Sequence, residues 1–237
     1  MRLPIFVRNY QKFAQEAAQP KQTYEQYLLA LLEQELLQRE ANQERRRIQA
    51  AKFPVVRTLD TFDFSIVPSV PKQKILQLAR GEFISKGENV LLVGEIGTGK
   101  THLTTVLGLA ACRQGKRVRF YTAAGLLNEL TEARDEKRLL RLQTLLMKQD
   151  LIVLEVGFVP FSAQGSQLLF QFCSERYQRG SMIFTANLEF PRWTEVFGDP
   201  QLTGALLDRI THQCHIIECH GDSYRFKQSM KKRHAVV

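Results

Sequence analysis

The feature that most narrows the folds open to this chain is the run Gly94-Glu95-Ile96-Gly97-Thr98-Gly99-Lys100-Thr101. It sits between the short apolar run Asn89-Val90-Leu91-Leu92-Val93 and a stretch of helical character from Lys100 to Gln114. The apolar run ends in glycine and reads as a buried strand. The order strand, glycine-rich loop, helix is the setting in which Gly-x-x-x-x-Gly-Lys-Thr acquires a physical meaning. The glycines let backbone N–H groups turn inward around phosphate oxygens, and the positive end of the following helix adds to the attraction. Lys100 is then placed to reach the outer phosphates of ATP, and the Thr101 hydroxyl to ligate magnesium. Gly94, Glu95, Ile96, Gly97, Thr98, Gly99, Lys100, Thr101 and His102 are the candidate nucleotide-binding residues, with ATP and Mg2+ as the expected cofactors.

The rest of the chain supplies a scaffold for such a loop. Apolar strands are expected at 89–93, 117–122, 151–154, 181–185 and 215–219. Helical stretches are expected at 72–86, 100–114, twice within 124–148, at 163–179, briefly around Trp193, and at about 200–211. Strands spaced by helices indicate an α/β fold, a parallel sheet with helices on both faces. Trp193 and the phenylalanines near 158–172 are expected to fill its core.

The first 50 residues differ in character: they contain no glycine. From Thr23 onward, Tyr24, Tyr27, Leu28, Leu31, Leu32 and Leu36 recur at helical spacing on one face, and Thr23 with Gln26 fits a capping box. The helix then becomes charged and stops at Phe53-Pro54, because the residue before proline avoids the helical region. Residues 1–58 are therefore expected to form a small all-helical module with its linker, and 59–237 the nucleotide-binding domain.

A parallel-sheet site of this kind needs a carboxylate at a neighbouring strand end, and often has two. The strand at 151–154 offers Glu155 alone, followed by Val156. If Glu155 holds the metal, Val156 cannot serve as base; if Glu155 is the base, no carboxylate remains for the metal shell. A positioned base is worth roughly 10²–10⁴ in rate, whereas phosphate binding rests on the loop and Lys100. The expectation is an ATPase whose turnover is weak.

At the level of specific words, the chain resembles the IstB/DnaC-like ATPases of the AAA+ class, and within them the IstB-type transposition helpers of insertion sequences. The resemblance is carried by Leu-Asp-Thr-Phe-Asp-Phe at 59–64, Gly-Thr-Gly-Lys-Thr-His-Leu at 97–103 and Gly-Leu-Ala-Ala-Cys-Arg-Gln-Gly at 108–115. Gly-Phe-Val-Pro at 157–160, Leu-Leu-Phe-Gln at 168–171 and Ser-Glu-Arg-Tyr at 174–177 carry it further. So do Val-Phe-Gly-Asp-Pro at 196–200, Leu-Leu-Asp-Arg at 206–209 and Gly-Asp-Ser-Tyr-Arg at 221–225. It implies an AAA+ P-loop sheet flanked by helices. Asn187 would orient the attacking water, Arg209 would act as an arginine finger on ATP held by a neighbouring subunit, and Arg225 would serve as a second sensor. With Lys100 and Glu155 these are the candidate catalytic residues; Thr101 and Glu155 are the candidate metal ligands. The family commonly shows Leu-Asp-Glu-Leu-Gly at the strand end, where this chain has the shorter Leu154-Glu155-Val156-Gly157. The usual proline of the phosphate loop is replaced by Glu95-Ile96, which puts a negative charge near the phosphates.

The formal net charge is +9, which favours polyanionic partners, nucleic acid first and acidic membrane surfaces second. No apolar run approaches the length needed to span a bilayer, and the four cysteines, none in a Cys-x-x-Cys pair, fit reduced thiols in the cytoplasm. Candidate contacts to the phosphates of double-stranded DNA are Arg45, Arg46 and Arg47, and Arg134, Lys137, Arg138 and Arg141 on the charged helix after the second strand. The tail Lys231–His234 reads as a basic end. His212, Cys214, His215, Cys219 and His220 crowd one segment, but 214 and 215 on a strand point apart, so no metal site is expected there. The resemblance implies a homo-oligomer with ATP sites between subunits, assembled on DNA and presenting a target to a transposase. A helicase loader of the DnaC type and an ATP-assembled scaffold that does not hydrolyse are the alternatives.

Overall fold

A computed structural model describes residues 3–18, 22–221, 223 and 224. The chain divides into two compact units, Met1–Arg47 and Ile48–Val237. In the first, α1 (Pro4–Ala18) precedes the long α2 (Tyr24–Ala51), which runs on into the second unit. The capping box at the start of α2 is closed in both directions: Thr23 N donates to Gln26 Oε1 at 3.0 Å and Gln26 N to Thr23 Oγ1 at 3.3 Å. Of the apolar stripe on α2, Leu31 is buried, but Tyr24, Leu28, Leu32 and Leu36 are exposed. A single short partner helix can cover only part of so long a face. The start of α1 is held by a buried carboxylate: Glu35 accepts from Ile5 N at 3.0 Å and from Arg39 Nε at 2.7 Å. The first amides of a helix lack internal partners, so a carboxylate there satisfies one of them.

The second unit is a five-stranded sheet in the order β2-β3-β4-β1-β5, formed by β1 (Asn89–Gly94), β2 (Val118–Thr122), β3 (Leu151–Val156), β4 (Ser181–Ala186) and β5 (Cys214–Cys219). Every pairing is parallel. The helical stretch expected at 72–86 is two helices, α3 (Lys72–Ala79) and α4 (Glu82–Lys86), because Gly81 between them is left-handed at φ 76°. Then come α5 (Lys100–Arg113), α6 (Ala123–Asp135), α7 (Leu139–Met147), α8 (Ala163–Arg176), the four-residue α9 (Thr194–Phe197) and α10 (Pro200–Thr211).

The two faces of the sheet bury separate cores, and the period-two alternation of each strand sorts residues between them. Leu151 and Val153 of β3 pack with α3, α4 and α5, beside Ile75, Phe83, Leu103 and Leu107. Ile152, Leu154 and Val156 pack on the other face with α6, α8 and α10, together with Trp193, Phe172 and Phe197. Two expectations are corrected here. Phe158 lies in the loop after β3 and is 62% exposed, so it does not join the core, although Phe172 does. The basic residues 134–141 do not share one helix: α6 ends at Asp135, α7 starts at Leu139, and Lys137 between them is left-handed at φ 57°.

At the base of the sheet Arg176 is 1% exposed. Its Nη1 donates to Leu146 O (3.0 Å) and Gln149 O (3.2 Å), and its Nη2 to Ser181 O (3.1 Å), tying the end of α7 to the start of β4. Burial pulls its pKa down to about 10, still high enough to keep the charge at neutral pH. Replacing Arg176 with leucine would remove the side-chain donor from three carbonyls, of which Leu146 O keeps Gln149 N at 3.1 Å. The expected cost is about 3 kcal/mol or more, seen as a lower urea midpoint; Arg176→Lys, lacking the planar fork, should recover only part of it.

Candidate nucleotide site

The loop after β1 enters α5 through Gly97 and Gly99, both left-handed at φ 89° and 87°. Their lack of a side chain also matters for packing. A Cβ on Gly99 would lie 2.7 Å from the Phe62 ring, and one on Gly97 would lie 2.2 Å from Ser223 Oγ. Lys100 is buried, with Nζ donating to Gly94 O at 2.8 Å and Glu95 O at 2.5 Å. Thr98 Oγ1 closes the turn on Glu95 O at 2.8 Å. Glu95 and Ile96 are exposed at the tip of the loop.

Sheet order explains what stands beside the loop. β3, β4 and β1 are adjacent, and Glu155, Thr185 and Leu92 lie in register across them. Glu155 points to the α5 face, like Val153 before it. There Thr101 Oγ1 donates to Glu155 Oε1 at 3.2 Å. Val156 points the opposite way and is 3% exposed in the other core. No carboxylate follows in Gly157-Phe158-Val159-Pro160-Phe161-Ser162. Asn187, one residue past β4, lines the same cavity as Glu155 and the loop, a space of about 350 Å³.

The other wall of the cavity brings His102, a candidate from the sequence, together with residues to which the sequence had assigned no role. Phe62 covers Gly99 and meets the His102 ring edge-on, with centroids 5.2 Å apart. His102 Nε2 lies 3.0 Å from Thr58 O and 3.3 Å from Thr61 Oγ1. The chain after β5 crosses beside the loop as well: Tyr224 N donates to Gly97 O at 3.1 Å, and His220 N to Ser69 Oγ at 2.7 Å. These contacts join residues 37 or more positions apart. Their traces in the sequence were the words Leu-Asp-Thr-Phe-Asp-Phe and Gly-Asp-Ser-Tyr-Arg.

The residues present fit a magnesium nucleotide. Left-handed Gly97 and Gly99 let the loop amides turn to a phosphate, Lys100 supplies an ammonium, and Thr101 with Glu155 forms a hydroxyl–carboxylate pair of the hard oxygen type that magnesium takes. Arg209, by contrast, is not among the residues lining this cavity. It lies in the last turn of α10. Arg225 and Lys231–His234 lie outside the described residues.

The remaining candidates are spread out. Arg45 and Arg46 are exposed on α2, and Arg47 is half-buried there. Arg134 pairs with Asp135 at 3.1 Å, Arg138 pairs with Glu136, and Lys137 and Arg141 are exposed. Among the described residues no group of His, Cys, Asp and Glu could hold a metal ion by itself. His215 instead bonds Glu88 at 2.8 Å. All four cysteines are free, and burial pushes the Cys173 and Cys214 thiols up to about 12 and Cys219 to about 11. These last three are therefore protonated and poor nucleophiles. No helix among the described residues is long and apolar enough to cross a membrane.

The family model described as IstB-like ATP binding protein matches residues 1–232. The chain belongs to this family. It is 33% identical over 229 residues to the insertion sequence IS5376 putative ATP-binding protein of Geobacillus stearothermophilus, covering 96% of this chain and 91% of that protein. It is 37% identical over 218 residues to the insertion sequence IS21 putative ATP-binding protein of Pseudomonas aeruginosa, covering 92% and 82%. Among solved structures the DnaC helicase loader superposes with a TM-score of 0.55 at 19% identity, over 74% of this chain and 99% of that one. The replication initiator DnaA bound to AMPPCP and single-stranded DNA superposes with a TM-score of 0.57 at 19% identity. It covers 76% of this chain, which spans 56% of DnaA. At such identities the likeness is one of fold, the AAA+ P-loop fold.

Burial lowers the pKa of His102, with Arg57 nearby acting in the same direction. The folded state thus prefers the neutral ring. The contribution of this contact is fully present above the unfolded histidine value of about 6.5 and is lost as pH falls through that value towards the lower folded one. Thermal melts between about pH 8 and 5 should show the native protein losing more stability on acidification than His102→Gln.

Proposed function

We propose that this chain is an ATP-dependent DNA-binding transposition helper. In this reading it binds Mg-ATP at the loop after β1, assembles into a homo-oligomer on double-stranded DNA with ATP sites between subunits, and presents target DNA to a transposase. The observation that carries the nucleotide part is the 3.2 Å contact between Thr101 and Glu155 across the end of the sheet. It brings the metal-binding hydroxyl of the loop to the one carboxylate of the strand end. The insertion-sequence relatives support the transposition part, and the net charge of +9 supports DNA as partner.

In this arrangement Lys100 would hold the outer phosphates, Thr101 and Glu155 would contribute two oxygens to the metal, and Asn187, which lines the same cavity, would face the terminal phosphate. Bound magnesium would offset the charge that develops on the phosphoryl oxygens. With Glu155 turned to Thr101, no second carboxylate follows it at the strand end to accept the proton of an attacking water; Asp63, the other carboxylate lining the cavity, accepts from Ser65 N and Oγ. Hydrolysis is therefore slow, and ATP acts chiefly as the signal for assembly. Arg209 would reach the terminal phosphate of ATP held by a second copy, where a guanidinium matches the spread charge of the transition state. Arg225 in the same chain is the proposed second sensor. Contacts to DNA phosphates fall to Arg45–Arg47 and to Arg134, Lys137, Arg138 and Arg141 around the junction of α6 and α7. The cytoplasm is the matching compartment. A DnaC-type helicase loader shares the fold and is separated from this reading by whether a transposase or a helicase is retained in a pull-down.

The test is phosphate release in the steady state. The native chain should turn over roughly 10²–10⁴-fold more slowly than P-loop ATPases that carry a base at the strand end. A Val156→Glu substitution should not restore the rate, because its carboxylate would be buried among Ile152 and Leu154. Turnover of the native chain near that of ordinary P-loop ATPases would count against the assignment of Glu155 to the metal.

A further inference from the structure

Arg209 is held by two contacts. Its Nη1 donates to Ala205 O of its own helix at 2.9 Å, and the centre of its guanidinium lies 4.8 Å from the centroid of the Phe170 ring on α8. Both side chains are half-buried. The arginine bonds no carboxylate among the described residues, whereas Arg117 is engaged by Asp150 and Arg192 by Glu195. Glu175, on the same helix as Phe170, accepts from two amides, Gln143 Nε2 at 3.2 Å and Gln171 Nε2 at 3.1 Å.

The choice of an aromatic partner has a consequence for charge. A carboxylate would hold the guanidinium equally well but would neutralise it, and an incoming phosphate would have to break that pair. A ring face attracts the cation through its quadrupole and leaves the net charge in place. The planar group is fixed against the ring with one of its five N–H donors used by Ala205. An arginine left to wander in solvent would lose more rotamer freedom on binding an anion than one already laid flat. Neither Arg209 nor Phe170 lines the chain's own nucleotide cavity.

We propose that Phe170 is a positioning residue for Arg209: it holds the guanidinium flat and un-neutralised, ready for the terminal phosphate of ATP bound to a second copy of this chain. This rests on the reading of Arg209 given under Proposed function. The residue is part of the word Leu-Leu-Phe-Gln, and it acts through the arginine rather than on the nucleotide.

The experiment uses the full chain and follows assembly by sedimentation velocity in ATP and in ADP, for the native protein, Phe170→Leu, Phe170→Tyr, Arg209→Ala and the Phe170→Leu/Arg209→Ala double variant. Binding of a fluorescent ATP analogue by the dilute chain and the melting temperature are measured alongside. Phe170→Leu keeps apolar bulk but loses the ring. It should raise the concentration needed for half-assembly in ATP by about tenfold, leave ADP behaviour and analogue binding unchanged, and add nothing to the loss in Arg209→Ala. Phe170→Tyr should assemble like the native chain. Native-like assembly of Phe170→Leu beside a defective Arg209→Ala would overturn the proposal and leave the arginine assignment standing. Native-like assembly of Arg209→Ala would overturn both. Loss of melting temperature and of analogue binding in Phe170→Leu, parallel to its assembly defect, would show a merely structural ring and also overturn the proposal.

Discussion

The hydrogen bond from Thr101 to Glu155 joins the first turn of α5 to the end of β3, and the chemistry proposed for this chain depends on it. It requires three things of the fold at once. The glycines must let the loop after β1 turn sharply into a helix. β3 must pair with β4, and β4 with β1, so that the ends of three strands line one edge. The register of β3 must turn Glu155, rather than its neighbours, towards α5. Open parallel sheets place ligands at this edge because loops and helix N-termini converge there, and the buried Lys100 adds an ammonium to the cradle.

The same register limits what the site can do. Along β3 the side chains alternate between two cores, so a carboxylate at 155 and one at 156 would face opposite sides of the sheet. Val156 belongs to the apolar packing around Trp193 and Phe172, and nothing in the following loop supplies a base. In the proposed reading binding and turnover are thereby separated, because the loop and Lys100 would grip phosphate while the strand end carries no second carboxylate. In that reading ATP would serve chiefly to hold an assembled state.

Much of this was legible in the sequence, for identifiable reasons. Strands buried on both faces read as continuous apolar runs, so Val90–Val93 and Leu151–Leu154 announced themselves, and the loop between the first strand and α5 carried its own glycine signature. The capping residues Thr23 and Gln26 are local and were equally plain. What could not be read were properties set by distant contacts. Whether Glu155 serves metal or water depends on strand parity relative to α5. The wall formed by Phe62 and His102 depends on a segment some 40 residues earlier folding back over Gly99. The break at Lys137 escaped notice because a lysine in a left-handed turn leaves no compositional mark. Phe158 was assigned to the core on hydrophobicity alone, and a loop position overrode it.

The central claim, that the loop after β1 and the Thr101–Glu155 pair together hold Mg-ATP, is tested most directly by isothermal titration of ATP into the purified chain with and without magnesium. The account predicts one ATP per chain, bound more tightly when magnesium is present, with the magnesium effect lost in Thr101→Ala. An absence of heat from ATP and ADP alike, across salt and magnesium concentrations, would contradict it.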